Sequence, residues 1–123
     1  MESPFKGKTG IRRLINAFGY SMEGLKAAYQ NEDAFRQETK LAILLIPLGI
    51  YLGHTGIEKA MMIGCVLLVI IVELLNSSVE ATVDRISLDH HKLAKRAKDI
   101  GSAAVLISLI NLAVVWGLVL FSH

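Results

Sequence analysis

Four side chains on one apolar stretch carry the chemistry this sequence offers. Ala60 to Val72 reads AMMIGCVLLVIIV and runs on as ELLNSSVEATVDR without a turn signal, so Glu73, Asn76, Glu80 and Asp84 fall on one continuous helix. At about 100° per residue these four groups lie within an arc of about 80°. A carboxylate at the centre of a bilayer costs about 2.5–3.5 kcal/mol on insertion scales, and less toward the interface. A stripe this costly belongs against a bundle interior or a site. Hard oxygen donors of this kind suit Mg²⁺, above all where phosphate oxygens complete its octahedron. Glu73 is the sharpest member, with four apolar residues before it and Leu74 and Leu75 after it. Asn76 also suits inter-helix hydrogen bonding. Glu80, Asp84 and Arg85, near the helix end, also read as plain interfacial charges.

The elements that position the stripe follow from hydrophobicity. The chain has 123 residues, 53% of them hydrophobic, which bounds it to one domain spanning residues 1–123. The apolar content is gathered into three stretches beginning near Leu41, Ala60 and Ile100, each close to the roughly 20 residues that cross a hydrocarbon core of about 30 Å. The expectation is an all-α membrane protein with three transmembrane helices at about 34–53, 57–85 and 97–121. Upstream, Leu14, Phe18, Met22, Leu25 and Tyr29 recur at helical spacing, predicting an amphipathic surface helix over about 11–30. Asn31 is placed to cap the next helix, and Pro47 to kink that helix without ending it. With no apolar signal core in the first 30 residues, the chain is expected to insert through its own spans.

Of 13 Lys and Arg residues, 12 lie before the first apolar stretch or between the second and third, and Lys59 is the exception. The positive-inside rule then puts the N-terminus and the 84–99 loop in the cytoplasm. That topology brings Glu80, Asp84, Glu32, Glu38, Lys98 and Asp99 to one membrane surface, with Glu73 one to two turns deeper. Tyr51 and Trp116 toward the far side read as interfacial anchors. Cys65, the single cysteine, sits inside a span and reads as packing. His90 and His91 lack cysteine partners, which argues against zinc. No P-loop, kinase glycine loop or HRD signature is present. Nothing in the pattern calls for a nucleic-acid partner.

The segment ELLNSSVEATVDRIS (Glu73 to Ser87) closely resembles the signature of the bacterial integral-membrane diacylglycerol kinase family, Gram-negative type. The resemblance extends through RAKDIGSAAVLI (Arg96 to Ile107), NEDAFRQE (Asn31 to Glu38) and GYSMEGLKAAY (Gly19 to Tyr29). It implies a homotrimeric bundle in the bacterial inner membrane, with active sites shared between subunits. The implied reaction moves the γ-phosphate of MgATP to the primary hydroxyl of diacylglycerol, giving phosphatidic acid. By the same resemblance Glu73 falls on the catalytic base and Asn76 on its polar partner, with Glu32 and Glu80 on the Mg²⁺ ligands. Arg13, Tyr20, His91, Lys98 and Asp99 fall on nucleotide-contacting positions, and Arg13, Glu73, Ser102 and Trp116 on substrate positions. His90 stands where the family pattern has an aromatic residue. An undecaprenol kinase is the alternative within the family. A small ion or proton conduit, or a non-catalytic assembly module, is the alternative outside it.

Overall fold

The computed structural model describes residues 10–86 and 92–122. Every regular element among them is an α-helix: α1 (Gly10–Asn31), α2 (Asp33–Leu52), α3 (Gly56–Ile86) and α4 (Lys92–Phe121). Helix α3 packs against both α2 and α4, while α1 meets α2 near their shared corner.

The corner between α1 and α2 differs from the expected cap. Asn31 ends α1 and turns its side-chain amide back to Ala27 O at 2.8 Å. The residue that breaks the helix is Glu32, at φ −119° and ψ 110°, and its side chain makes no capping bond. The last carbonyls of α1 would otherwise lack partners. Arg36 supplies them from the first turn of α2, donating from Nη1 to Tyr29 O at 2.8 Å and Gln30 O at 3.1 Å while pairing with Asp33. The carboxylate of Glu32 is thereby left free of local backbone duties.

Along α2 the buried residues are Phe35, Ala42 and Gly49, each seven apart and so on one face toward α3. The helix runs through Pro47 to Leu52, as the sequence suggested. Gly53 then turns the chain where space is short. A Cβ there would lie 2.6 Å from Lys59 Cγ and 3.1 Å from Lys59 N. Thr55 and Glu58 start α3 as an interlocked pair. Thr55 Oγ1 accepts from Glu58 N at 3.1 Å, and Glu58 Oε1 accepts from His54 N at 2.8 Å, close to a capping box.

Helix α3 buries Met62, Cys65, Val66, Val69, Glu73 and Asn76, steps of three, one, three, four and three that trace a single helical face. Glu73 and Asn76 thus continue the same face that forms the apolar core. At the other end Trp116 of α4 donates from Nε1 to Met62 O at 3.1 Å, and its ring lies beside Gly49 of α2. Trp116, read from the sequence as an interfacial anchor, therefore also links α2, α3 and α4; Tyr51 is 84% exposed.

Two helices among the described residues, α3 and α4, are long and apolar enough to cross a membrane. At 31 and 30 residues each is about 45 Å long by helical rise, longer than a hydrocarbon core of about 30 Å. Helix α2 carries Arg36, Glu38 and Lys40 in its first half, which lowers its apolar character there. Most of α4 is open, with Ser108 its one buried residue.

Met62 is the largest fully enclosed side chain. Met62→Ala should destabilise the fold by about 2–5 kcal/mol, as large-to-small core changes do. SDS-titrated unfolding in micelles measures it, and a change under about 1 kcal/mol would mean that the surrounding helices close the gap.

Candidate active site

The polar end of α3 is where the core face meets unsatisfied chemistry. Glu73 is 4% exposed and Asn76 8%. Asn76 Nδ2 donates to Glu80 Oε1 at 3.1 Å, one turn further on. Glu73 Oε2 and Asn76 Oδ1 are buried without a hydrogen-bond partner, as are Glu38 Oε2 and Thr39 Oγ1 on α2. A buried polar atom left alone costs about 1–3 kcal/mol. Two such atoms on α2 and two on α3 are left for donors that the described residues do not supply.

The electrostatics agree. The charges that act on Glu73 come from Glu38, Glu80 and Glu32, so carboxylates from both helices share one neighbourhood. Glu32 has its carboxyl pushed above the ordinary range, first by desolvation and then by the charges of Glu80, Asp33 and Asp84. Crowded carboxylates of one sign are relieved by a cation or a proton. Among the described residues no three His, Cys, Asp or Glu side chains gather tightly enough to hold a metal alone. Glu32 and Glu80 together offer two carboxylates, and Mg²⁺ bound with substrate phosphates uses one or two. The donor set therefore fits Mg²⁺ that arrives with a nucleotide.

Lys98 stands beside this group. Its Nζ pairs with Asp84 Oδ1 at 2.6 Å and bridges α4 to α3, both side chains being about half exposed. Exposed pairs of this type contribute about 0–1 kcal/mol, so the two side chains separate at little cost. Asp99 pairs with Lys95 one turn back at 2.7 Å. Asp84, which the sequence pattern left as an interfacial charge, is the counter-ion of Lys98.

The other residues singled out from the sequence fall in three places. Arg13 and Tyr20 lie on α1, both exposed, and the 19 residues from Arg13 to Glu32 amount to about 28 Å of helix. Ser102 is exposed on α4, next to Gly101. Trp116 is 14 residues further along, about 21 Å by helical rise, in the inter-helix lock at Met62. Within one chain Arg13 and Trp116 therefore stand apart from the acidic group. His91 and His90 lie outside the described residues. Glu38, which the sequence placed at the same surface, lies close enough for its charge to act on Glu73, and the role of Arg36 in closing the corner beneath Glu32 was passed over. Both sit at the charged start of an apolar helix, a position that reads equally well as plain interfacial charge.

A cleft of about 700 Å³ separates the second half of α1 from α3. Its walls are mostly small, with Ser21, Gly24, Ala28, Ser77 and Ala81 among them, and Glu32 is on its edge. An apolar trough that ends at a carboxylate can admit an amphiphile with its polar end foremost.

Comparison with known proteins names the arrangement. A family profile described as prokaryotic diacylglycerol kinase matches residues 19–120. The chain belongs to the prokaryotic diacylglycerol kinase family. Similar members include a diacylglycerol kinase of Pseudomonas aeruginosa, 52% identical over 118 residues that make up 96% of each chain. Another, from Haemophilus influenzae, is 55% identical over 92% of this chain and 96% of its own. A third, from Escherichia coli strain K12, is 49% identical over 94% of both.

Because folding raises the carboxyl pKa of Glu32, the folded state holds that proton more tightly than the unfolded state does. Ionised Glu32 therefore opposes folding above the ordinary carboxylate range and is neutral in effect below it. In metal-free buffer Glu32→Gln should leave resistance to SDS unfolding unchanged or raised at neutral pH, with the difference vanishing toward acid. A lower resistance at neutral pH would show instead that the carboxylate makes a stabilising contact.

Proposed function

We propose that the protein phosphorylates the primary hydroxyl of diacylglycerol with ATP, yielding phosphatidic acid and ADP at the cytoplasmic face of the bacterial inner membrane. Family membership supports a lipid kinase. The observation that carries the finer reading is buried Glu73, with an unpartnered Oε2 one turn below the Asn76–Glu80 hydrogen bond. In this reading α2, α3 and α4 are the three spans and α1 lies on the membrane surface.

The acceptor lipid enters from the bilayer with its hydroxyl directed at Glu73. The hydroxyl oxygen attacks the γ-phosphorus, the bond from that phosphorus to the β–γ bridging oxygen breaks, and Glu73 takes the hydroxyl proton. Little covalent help is needed, since phosphoryl transfer depends mainly on positioning and charge neutralisation. Glu32 and Glu80 are the residues that would hold Mg²⁺, which when bound neutralises charge on the phosphate oxygens. Asn76 steadies Glu80, and Lys98 exchanges Asp84 for the phosphates as the nucleotide arrives from water. Glu73 lies deeper than Glu80, which suits a donor from the aqueous side and an acceptor from the lipid side.

A homotrimer fits the same observations. Helix α1 buries none of its residues, and Ile11, Leu14, Ile15 and Phe18 are each at least 64% exposed. A neighbouring copy that covers α1 would also bring its nucleotide-contacting candidates, Arg13 and Tyr20, to an acidic group they do not reach in one chain.

Labelled ATP with diacylglycerol in mixed micelles tests the activity. Turnover of diacylglycerol is expected; phosphorylated undecaprenol as the sole product on thin-layer separation would favour the undecaprenol kinase alternative. Glu73→Gln should reduce phosphoryl transfer by about 10²–10⁴, the usual contribution of a general base, while assembly stays intact. Unchanged turnover would remove Glu73 as the base. For Glu80→Gln the Mg²⁺ concentration that half-saturates activity should rise about tenfold or more, and an unshifted curve would contradict a ligand role.

A further inference from the structure

Gly101, in the third turn of α4, faces Asn76 of α3. A Cβ added at Gly101 would overlap Asn76 Oδ1 and would stand 3.2 Å from Asn76 Cγ. The three nearest atoms to that Cβ all belong to the one asparagine. Gly64 and Gly117, in the same two helices, have nothing within 4 Å of such a Cβ, so the obstruction is particular to this position.

Asn76 has little freedom to yield. Its Nδ2 end is committed to Glu80 Oε1, and the residue is 8% exposed. Turning the amide aside breaks that bond. Its Oδ1 end occupies the space a side chain at 101 would fill, and has no hydrogen-bond partner there. A small cleft of about 260 Å³ lies alongside, walled by Asn76, Ala97, Gly101 and Ala104. Glycine inside a helix is intrinsically unfavourable relative to alanine, and here its compensation is the rotamer of a neighbour.

We infer that Gly101 is a positioning residue for phosphoryl transfer: by having no side chain it lets Asn76 keep the one arrangement that holds Glu80 and leaves Oδ1 open between α3 and α4. The inference rests on the kinase reading above and acts entirely through Asn76.

Two measurements on the full chain in mixed micelles test it. In the first, Gly101→Ala should lower kcat, counted per folded protein so that a smaller folded fraction does not mimic the effect, about tenfold or more while the KM for diacylglycerol stays within about twofold. In the second, SDS-titrated unfolding of Gly101→Ala is compared in the native chain and in an Asn76→Ala chain. The change should lower the midpoint in the first and leave it unchanged or raise it in the second, where the methyl meets open space and alanine favours the helix. Equal losses in both backgrounds would overturn the proposal, as would full kcat in Gly101→Ala. If Glu73→Gln is inactive while Gly101→Ala turns over normally, Gly101 loses its role and the kinase reading stands. If the native protein transfers no phosphate, the kinase reading and the positioning role fall together, and the unfolding comparison still decides whether Gly101 acts on Asn76.

Discussion

The structure depends on one helical face being asked to do two things. The face of α3 that packs Met62, Cys65, Val66 and Val69 into the core continues without interruption through Glu73 and Asn76. The same geometric repeat that excludes water from the methionine therefore excludes it from a carboxylate. Apolar burial is favourable at about 25 cal/mol per Å², whereas an unpaired buried polar atom is unfavourable by about 1–3 kcal/mol. The helix tolerates its polar end because the apolar end is well anchored. Met62 is fully enclosed, and its carbonyl receives the Trp116 indole from α4.

Around that face the chain keeps its charges from cancelling locally. Glu32 stands at the N-cap position of α2 but makes no capping bond, and Arg36 takes the carbonyls of the corner. Asp99 is held by Lys95, and Lys98 by Asp84, both in exposed pairs of small net worth. The deep carboxylates get no such cation: Glu38 and Glu73 each retain a buried oxygen without a partner. The result is a graded set, weakly paired at the surface and unpaired below. That grading is what a site needs if charged phosphates are to displace the outer pairs and a neutral hydroxyl is to reach the inner carboxylate.

The stripe on α3 was legible in the sequence because a 3.6-residue repeat is enough to bring Glu73, Asn76 and Glu80 onto one face. The helical character of all four elements was legible for the same reason, as was continuity through Pro47. The corner was not. Asn31 is the residue type that caps a helix and glutamate is not, yet Asn31 bonds back to Ala27 within α1 and Arg36 reaches back seven residues to Tyr29 O, a contact with no local sequence signal. Trp116 was legible only in part. A tryptophan near a span end commonly marks an interface, and only the packing of Gly49 and Met62 reveals an inward partner. Gly101 appeared as one of several small residues, and its particular burden emerges only once Asn76 is built across from it.

The chain taken alone also leaves an imbalance that bears on how the site is completed. Helix α4 buries a single residue of its 30 and α1 none of its 22. Lipid can cover the exposed side chains of α4, since hydrocarbon is as apolar as they are. It cannot serve α1 in the same way, because Arg12, Arg13, Glu23 and Lys26 interrupt that helix with charge. The cleft between α1 and α3 is thus walled on one side by an element with few attachments of its own, resting on a corner fixed by Arg36. The two walls differ in how firmly the chain holds them: α3 buries six residues, Glu73 and Asn76 among them, and α1 none.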